Sequence, residues 1–154
     1  MSITLTSWNI VTKQDTYWYN VDSSQGAVIF SENTVAFEAR NGGGDSIIVF
    51  KDVLLNTGNR FSSSTGKFTA PYSGLHLCAA KICHNKSYIF YIKKNGYVME
   101  KKEVTTSNTA VVCSSLTCVT YLETGDKVNI YVHVDGLSHS VPENVKNEFI
   151  GWLR

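Results

Sequence analysis

Four cysteines are the side chains in this sequence that offer the most chemistry, because thiols form disulfides, bind metals or act as nucleophiles. They form two pairs with the same spacing, Cys78 with Cys83 and Cys113 with Cys118. Four cysteines allow three disulfide pairings, and all four could also stay reduced as small core residues. Zinc binding is a third possibility, but the C-x4-C spacing of these cysteines is not specific for zinc sites. Two cysteines five positions apart in one strand also face opposite sides of a sheet. The spacing alone does not decide whether these cysteines form disulfides or remain free thiols.

The four histidines are the other candidates for catalysis or metal binding, at His76, His84, His133 and His139. His133 and His139 lie close to Asp135, and the three side chains could hold a metal, although isolated histidines near loops are commonly just exposed. No paired carboxylates and no G-x-S-x-G or H-E-x-x-H motif accompany them. Catalysis needs convergent acid, base or nucleophilic groups. The sequence therefore predicts a protein that is not an enzyme and that has no metal and no cofactor.

Short β-strands are the elements predicted to position these side chains. Apolar runs from Val28 onward alternate with polar turns, and no stretch has a convincing helical period. We predict strands at 75–82, 88–93, 97–104, 109–122, 127–134 and 148–153, with a hairpin turn at 95–96 and a long loop at 135–147. Phe50, Phe61 and Phe68 stand between short strands and polar turns, which suits the core of an all-β sandwich.

Length and charge narrow the class of protein further. The 154 residues suffice for one domain with a sizeable core. A formal net charge of +1 lacks the basic excess of nucleic-acid-binding proteins, so we predict no nucleic-acid partner. No apolar run approaches the ~20 residues of a membrane helix, so we predict no membrane insertion. Residues 1–20 lack the apolar region of a signal peptide, and the expectation is a mature or leaderless chain.

Residues 1–33 are predicted to form an N-terminal extension ahead of a globular domain at 34–154. Trp8, Tyr17, Trp18 and Tyr19 stand among polar residues there, without a heptad or a Gly-X-Y repeat. This aromatic content is too high for a free disordered tail. We expect the extension to pack on the domain or on a neighbouring subunit, with a ligand-binding arm as the alternative.

The spacing of aromatic and turn residues between positions 50 and 74 is specific. Phe50, Asn56, Phe61, Phe68 and Gly74 follow one another at intervals that resemble the signature of the complement C1q globular head. Four other segments resemble sequence motifs or strands of that family: 35–40, 64–71, 122–127 and 149–153. The resemblance covers about residues 35–154. It implies a ten-stranded jelly-roll sandwich of two antiparallel sheets, related in shape to tumour necrosis factor.

One strand departs from the family pattern. After Gly74 the family continues with aromatics at alternate positions, where this chain has His76, Cys78 and Ala80. Because an aromatic at the first of these positions is buried in the family, His76 is predicted to be a core or interface histidine with its hydrogen bonds satisfied.

The resemblance also makes the two cysteine-bearing strands antiparallel neighbours. Because both pairs have the same spacing, the register that places Cys78 opposite Cys118 also places Cys83 opposite Cys113. Two cross-strand disulfides are therefore the sharpest hypothesis, although disulfides between neighbouring strands are geometrically demanding. Four free thiols remain the alternative.

Loops carry function on a rigid sandwich, and the implied strand directions gather three turns at one end of the domain. Their hydroxyl, amide, imidazole and carboxyl groups suit hydrogen bonding to a sugar. The candidate ligand-binding residues are His84, Asn85, Thr106, Asn108, Asp135, His139, Glu143 and Asn144. Asn85-Lys86-Ser87 is also an acceptor sequence for N-glycosylation, at a turn where such sites lie exposed.

Trimeric assembly and ligand binding through exposed loops are what the resemblance implies. We predict a secreted homotrimer, similar to the stalkless lectin-like members of invertebrates, that recognises surface carbohydrate or microbial ligands in innate immunity. Some family members bind calcium through aspartates before the long strand, but 105–109 has no acidic residue and we predict no calcium there. One alternative is an extracellular structural or signalling trimer that binds a receptor or matrix without a sugar site. A cytosolic interaction domain is another, and it predicts four reduced thiols.

Overall fold

A computed structural model describes residues 16–20, 27–31, 35–44, 46–107, 110–134 and 147–153. The chain divides into two compact units, residues 1–34 and 35–154. In the first unit the described residues form an antiparallel hairpin of β1 (Thr16–Asn20) and β2 (Ala27–Ser31). Trp8 lies outside the described residues. The predicted packing of residues 1–33 on the domain or on a neighbouring subunit stays a prediction.

The second unit is a sandwich of two antiparallel sheets, which confirms the predicted all-β jelly roll. Its described strands are β3 (Val35–Gly43), β4 (Ser46–Ile47), β5 (Val49–Asn56), β6 (Phe61–Ser62), β7 (Lys67–Thr69), β8 (Gly74–His84), β9 (Tyr88–Lys94), β10 (Tyr97–Val104), β11 (Val112–Leu122), β12 (Lys127–Val134) and β13 (Glu148–Leu153). The five-stranded sheet has the order β11-β8-β13-β3-β5. The six-stranded sheet has the order β10-β9-β12-β7-β6, with β4 paired to β12.

Alternate residues of each strand point into the space between the sheets, as the period of two requires. In β8 the buried positions include Cys78, Ala80 and Ile82, and in β9 they include Phe90 and Ile92. The odd-numbered residues of both strands face outward over most of their length. This alternation defines a core face and an outer face for each sheet.

Phenylalanines from distant parts of the chain fill the centre of the core. The ring of Phe37 stacks on Phe61 and on Phe68, each at 4.9 Å between centroids, and meets Phe149 edge-on at 4.8 Å. A Cβ atom at Gly151 would lie 2.1 Å from the Phe37 ring, so only glycine lets β13 come this close to the aromatic cluster. The aromatic spacing that predicted a sandwich core is thus explained by direct ring contacts.

The hairpin between β9 and β10 turns at Asn95-Gly96, as predicted, with positive φ at both residues. It is fastened to the β11–β12 turn by Asp126. This carboxylate accepts hydrogen bonds from the Asn95 side-chain amide at 2.7 Å and from the Glu123 backbone N–H at 2.8 Å, and it pairs with the Lys94 ammonium at 2.9 Å. These contacts close the end of the sandwich that lies away from the predicted ligand loops. No helix in the described part of the chain has the length and apolar character needed to cross a membrane.

Candidate functional site

The β8–β9 turn and the segment after β10 meet at one end of the sandwich. The Ser87 hydroxyl accepts a hydrogen bond from the Thr106 backbone N–H at 3.0 Å and lies 3.4 Å from the Thr106 carbonyl, to which it donates. Asn85 is exposed at the tip of the turn, and Thr106 is half-buried. These hydrogen bonds join the backbone of Thr106 to the turn that carries Asn85 two residues before Ser87, and the role of both residues in ligand binding stays a prediction. Asn85 also lies exposed as the sequon requires, and its glycosylation stays a prediction.

His84 does not lie on this surface, contrary to its selection as a ligand-contacting residue. The residue is 3% exposed, and its ring packs at 6.1 Å from the Tyr88 ring. The Nδ1 atom accepts a hydrogen bond from the Lys86 backbone N–H at 2.9 Å, which shapes the turn from inside. The turn begins at the last residue of β8, and that residue still points into the core. His84 therefore positions the turn and does not offer its ring to a ligand.

The remaining predicted ligand residues fall in two segments that are outside the described residues: Asn108, Asp135, His139, Glu143 and Asn144. Their role stays a prediction. Within the residues that the structure does describe, no cluster of three or more histidine, cysteine or carboxylate side chains could hold a metal ion.

Asn147 is a residue of this end that the sequence did not single out. Its side chain is fully buried, with Oδ1 accepting from the backbone N–H of Cys83 at 2.7 Å and Nδ2 donating to the carbonyl of Gly42 at 2.8 Å. One amide therefore joins the start of β13 to the ends of β8 and β3. It anchors the point from which the segment before β13 departs.

The cysteines lie in the predicted register, Cys78 opposite Cys118 and Cys83 opposite Cys113 in the β8–β11 pair. Cys83 and Cys113 are joined by a disulfide on the outward side of the sheet. Cys78 and Cys118 are free and buried, so the structure has one bridge where two were hypothesised. Burial raises the pKa of the Cys78 thiol to about 12, with a further contribution from Cys118.

The position of each pair in the antiparallel ladder explains why only one bridge forms. Opposed residues alternate between wide hydrogen-bonded pairs and narrow non-hydrogen-bonded pairs, with Cα separations of about 5.5 and 4.5 Å. A spacing of five residues puts the two cysteine pairs in different classes. The Cα atoms of Cys83 and Cys113 are 4.0 Å apart, which is the narrow class. Cys78 and Cys118 therefore occupy a wide pair, where the Cβ atoms lie farther apart than a disulfide prefers.

A model of the C1q domain matches residues 29–153. The chain belongs to the C1q domain family. The fold is also similar to that of the globular domain of zebrafish complement 1qA protein, with a TM-score of 0.69 and 21% sequence identity, over 78% of this chain and 96% of that chain. No curated protein matches the chain. Proteins with a C1q domain are known for recognition and signalling without catalysis.

In this C1q domain the three residues of β8 that depart from the family's aromatic pattern still face the core. His76, Cys78 and Ala80 are all buried, which confirms the burial of His76 but not the expectation that all its hydrogen bonds are satisfied. The His76 Nδ1 lies 3.0 Å from the carbonyl of Gly74, and the ring packs 5.8 Å from Phe68. Its Nε2 is buried with no hydrogen-bond partner among the described residues. Burial lowers the pKa of His76, and the Gly74 carbonyl and Asp126 oppose that effect.

The outer face of the five-stranded sheet is apolar toward one end and charged toward the other. Its exposed apolar side chains are Leu55, Leu75, Val119, Tyr121, Ile150 and Trp152. Toward the ligand loops, Glu148 pairs with Arg40 at 3.6 Å and with Lys81 at 3.1 Å. Apolar patches of this kind on soluble proteins mark sites of association. We name the six apolar residues the apolar sheet face.

Proposed function

We propose that this C1q-domain protein is a secreted trimer of the lectin-like, pattern-recognition type in innate immunity, which recognises surface carbohydrate or microbial ligands through loops at one end of the sandwich. The observation that carries the proposal is the exposed polar turn at Asn85, fastened to Thr106 by the Ser87 hydroxyl. A loop that is held rigid by such contacts loses little conformational freedom on binding, so its amide and hydroxyl groups contribute more of their hydrogen-bond energy to affinity.

Two features of the same end support secretion. The Cys83–Cys113 disulfide is of a kind that persists in oxidising compartments. The sequon at Asn85 is exposed two residues from that disulfide, where a glycosyltransferase of the secretory pathway could reach it. Proteins with a C1q domain are also generally extracellular. A cytosolic domain with four reduced thiols accounts for neither feature.

Trimeric assembly is supported by the apolar sheet face. The face includes Trp152, Ile150 and Val119, three large side chains that are expensive to leave in water. Burying it between copies of this chain would remove that cost. Three copies would also present three sets of loops to one surface, and weak single contacts then combine into strong binding through effective concentration.

The proposal is tested on an array of glycans and microbial polysaccharides, with and without calcium, after light scattering has established the assembly state. Protein from a bacterial periplasm keeps Asn85 unmodified while allowing the disulfide to form. We expect selective binding that falls about three- to tenfold in the variants Asn85→Ala and Thr106→Val, because each loses a hydrogen-bonding group. The matched control is Glu123→Ala, an exposed residue in a turn at the opposite end.

Binding to a defined protein by an intact trimer that ignores every glycan would favour the alternative, an extracellular structural or signalling trimer without a sugar site. Glycan binding that all three variants leave unchanged would place the contact elsewhere on the molecule.

A further inference from the structure

The outer face of the six-stranded sheet carries a row of aromatic and basic side chains that the loops do not explain. Tyr91 of β9 lies opposite Tyr131 of β12, and on its other side Tyr91 lies opposite Lys101 of β10. Cross-strand neighbours share a face of the sheet. This face is the outer one, because the residues that flank the two tyrosines along their strands, Phe90, Ile92, Ile130 and Val132, are buried in the core.

A second row of side chains lies two residues further along the strands. Lys93 of β9 lies opposite Asn129 of β12, which in turn lies opposite Lys67 of β7. The two lysines are two strands apart, or about 10 Å. Lys127 follows on β12, exposed and two residues from Asn129. The lysines are therefore spread over the face at intervals and are not gathered at one point.

Lys93 is held in place by the tyrosines. Its ammonium lies 3.7 Å from the centroid of the Tyr131 ring and 5.5 Å from that of the Tyr91 ring. The two rings meet edge-on at 5.9 Å. A cation–π contact fixes the position of an ammonium group but does not neutralise its charge. Lys93 is thus a positioned cation that can still pair with an anion.

The charge of this face is mainly positive. In the strands that the structure describes, its outward positions hold Lys67, Lys93, Lys101 and Lys127 and one carboxylate, Glu103. In the described part of the chain none of these four lysines forms an ion pair, whereas the basic residues of the opposite sheet face pair with Glu38 and Glu148. The whole chain carries a net charge of only +1, so the positive charge is concentrated here. A face of unpaired cations attracts polyanions.

We infer that this face binds a polyanionic glycan with sulfate or carboxylate groups along its length. The inference rests on the proposed carbohydrate-binding function and gives it a second contact surface and a ligand class. The tyrosine hydroxyl groups can exchange hydrogen bonds with sugar hydroxyls, and the spaced lysines match repeated charges along an extended chain. A nucleic acid fits less well, because the chain lacks the strong basic excess of proteins that grip a phosphate backbone. We name Lys67, Lys93, Lys101, Lys127, Tyr91 and Tyr131 the lysine–tyrosine face.

The strand β10 offers a matched pair of variants. Lys101 and Lys102 are neighbours, both exposed, and they point to opposite sides of the strand. Lys101→Gln and Lys102→Gln change the net charge equally, but only the first alters the lysine–tyrosine face. Lys93→Gln and Tyr131→Leu test the positioned cation and the ring that holds it.

The probe is heparin, with chemically desulfated heparin and neutral dextran as comparisons, measured on the assembled protein by surface plasmon resonance at rising salt. We expect heparin binding that weakens steeply with salt and that desulfation reduces. Lys101→Gln and Lys93→Gln should each lower affinity about three- to tenfold, because each removes one charged contact. Tyr131→Leu should lower it by a smaller factor, and Lys102→Gln should leave it unchanged.

Four outcomes would contradict this inference, and the last two of them show whether the proposed function fails with it. Equal losses in Lys101→Gln and Lys102→Gln would overturn it, because net charge alone would then account for binding. Equal affinity for duplex DNA of the same charge would overturn the choice of a glycan. Binding of neutral glycans that depends on Asn85 and Thr106, without binding to heparin, would leave the proposed function standing and remove the inference. No binding to any glycan would remove both.

Discussion

Cys78 and Cys118 face each other in the core as free thiols, five residues along the ladder from the bridged pair Cys83 and Cys113. We predict one disulfide and two unreactive thiols in each chain. Burial raises the pKa of Cys78 from 9.0 to about 12 and also raises that of Cys118. At pH 8 the thiolate of Cys78 is therefore about a thousandfold scarcer than for an unperturbed thiol.

Mass spectrometry after alkylation checks this prediction. The native protein should take up alkylating reagent slowly, and the unfolded protein should take up two equivalents without reductant and four with it. A Cys83→Ser variant should gain one reactive thiol at Cys113, whose side chain is exposed. Four equivalents without reductant would support the cytosolic alternative, and none in the unfolded chain would mean that Cys78 and Cys118 are also bridged.

The second prediction concerns Asn147, whose amide joins the backbone of Cys83 to that of Gly42. Asn147→Ala leaves a buried N–H and a buried carbonyl without this partner, and we expect a loss of about 2–3 kcal/mol in the free energy of unfolding. Urea titration followed by tryptophan fluorescence measures the loss. Asn85→Ala, an exposed asparagine at the same end, is the control and should change stability by less than about 0.5 kcal/mol. Similar midpoints for the two variants would contradict the role assigned to Asn147.

The cysteines and Asn147 differ in how much of their structure could be predicted from the sequence. The register of the cysteines was predictable, because equal spacing in two antiparallel strands allows one register to satisfy both pairs. Which pair closes was not, because that depends on where the narrow positions of the ladder fall. Asn147 was not predictable at all, since its two partners lie 64 and 105 residues away in the chain and leave no local pattern. His84 was misplaced because the end of β8 lies beyond its predicted boundary, so that a residue expected in a turn is still in the strand.

The third prediction concerns His76, the buried imidazole on β8. Burial lowers its pKa below the ordinary value of 6.5, so the folded state keeps it neutral while the unfolded chain binds a proton as pH falls through that value. The folded protein should therefore lose stability below about pH 6.5. His76→Phe removes both the titration and the unpartnered Nε2, and we expect a gain of about 1 kcal/mol at pH 7 and a larger gain at pH 5.

Thermal unfolding between pH 7 and pH 5 tests this expectation. The parent protein, measured under the same conditions, is the reference for the slope of melting temperature against pH. A His76→Phe protein whose stability falls with pH as steeply as that of the parent would show that another group is responsible.

The fourth prediction concerns Asp126, which fastens the β9–β10 hairpin to the neighbouring turn. The hydrogen bond from Lys94, together with those from the Glu123 backbone and Asn95, lowers its pKa from 3.8 to about 2. A carboxylate with a lowered pKa in the folded state stabilises the protein above its unfolded pKa, and the contribution is lost as pH falls from about 4 toward 2. Because the pair lies near the surface, we expect Asp126→Asn to cost about 1 kcal/mol at pH 7 and almost nothing at pH 2.

Urea midpoints at pH 7, 4 and 2 give the test for Asp126. Glu123→Gln is the control, because it alters a neighbouring exposed carboxylate and leaves intact the backbone N–H that Asp126 uses. A difference between Asp126→Asn and the parent that persists at pH 2 would mean that the carboxylate acts by shape and not by charge.

The fifth prediction concerns assembly through the apolar sheet face. Ile150 is exposed at its centre, between Glu38 of β3 and Ala79 of β8 in the register. If copies of the chain bury this face against one another, an ammonium group placed at Ile150 would be buried among apolar side chains, where the one neighbouring carboxylate in the register, Glu38, is already paired with Arg40. We expect this burial to cost several kcal/mol. We expect Ile150→Lys to convert the trimer to monomer, as measured by light scattering against a chain mass of 17.1 kDa.

Tyr97→Lys is the matched control for the fifth prediction, because Tyr97 is 80% exposed on the other sheet and the charge change is the same. That variant should stay trimeric. Monomeric Ile150→Lys should keep its affinity for a single soluble glycan but lose about a hundredfold or more in binding to a glycan-coated surface, because effective concentration supplies that part of the affinity. A parent protein that is monomeric, or an Ile150→Lys protein that remains trimeric, would contradict the interface, and equal losses on soluble and surface-bound glycan would place Ile150 near the ligand.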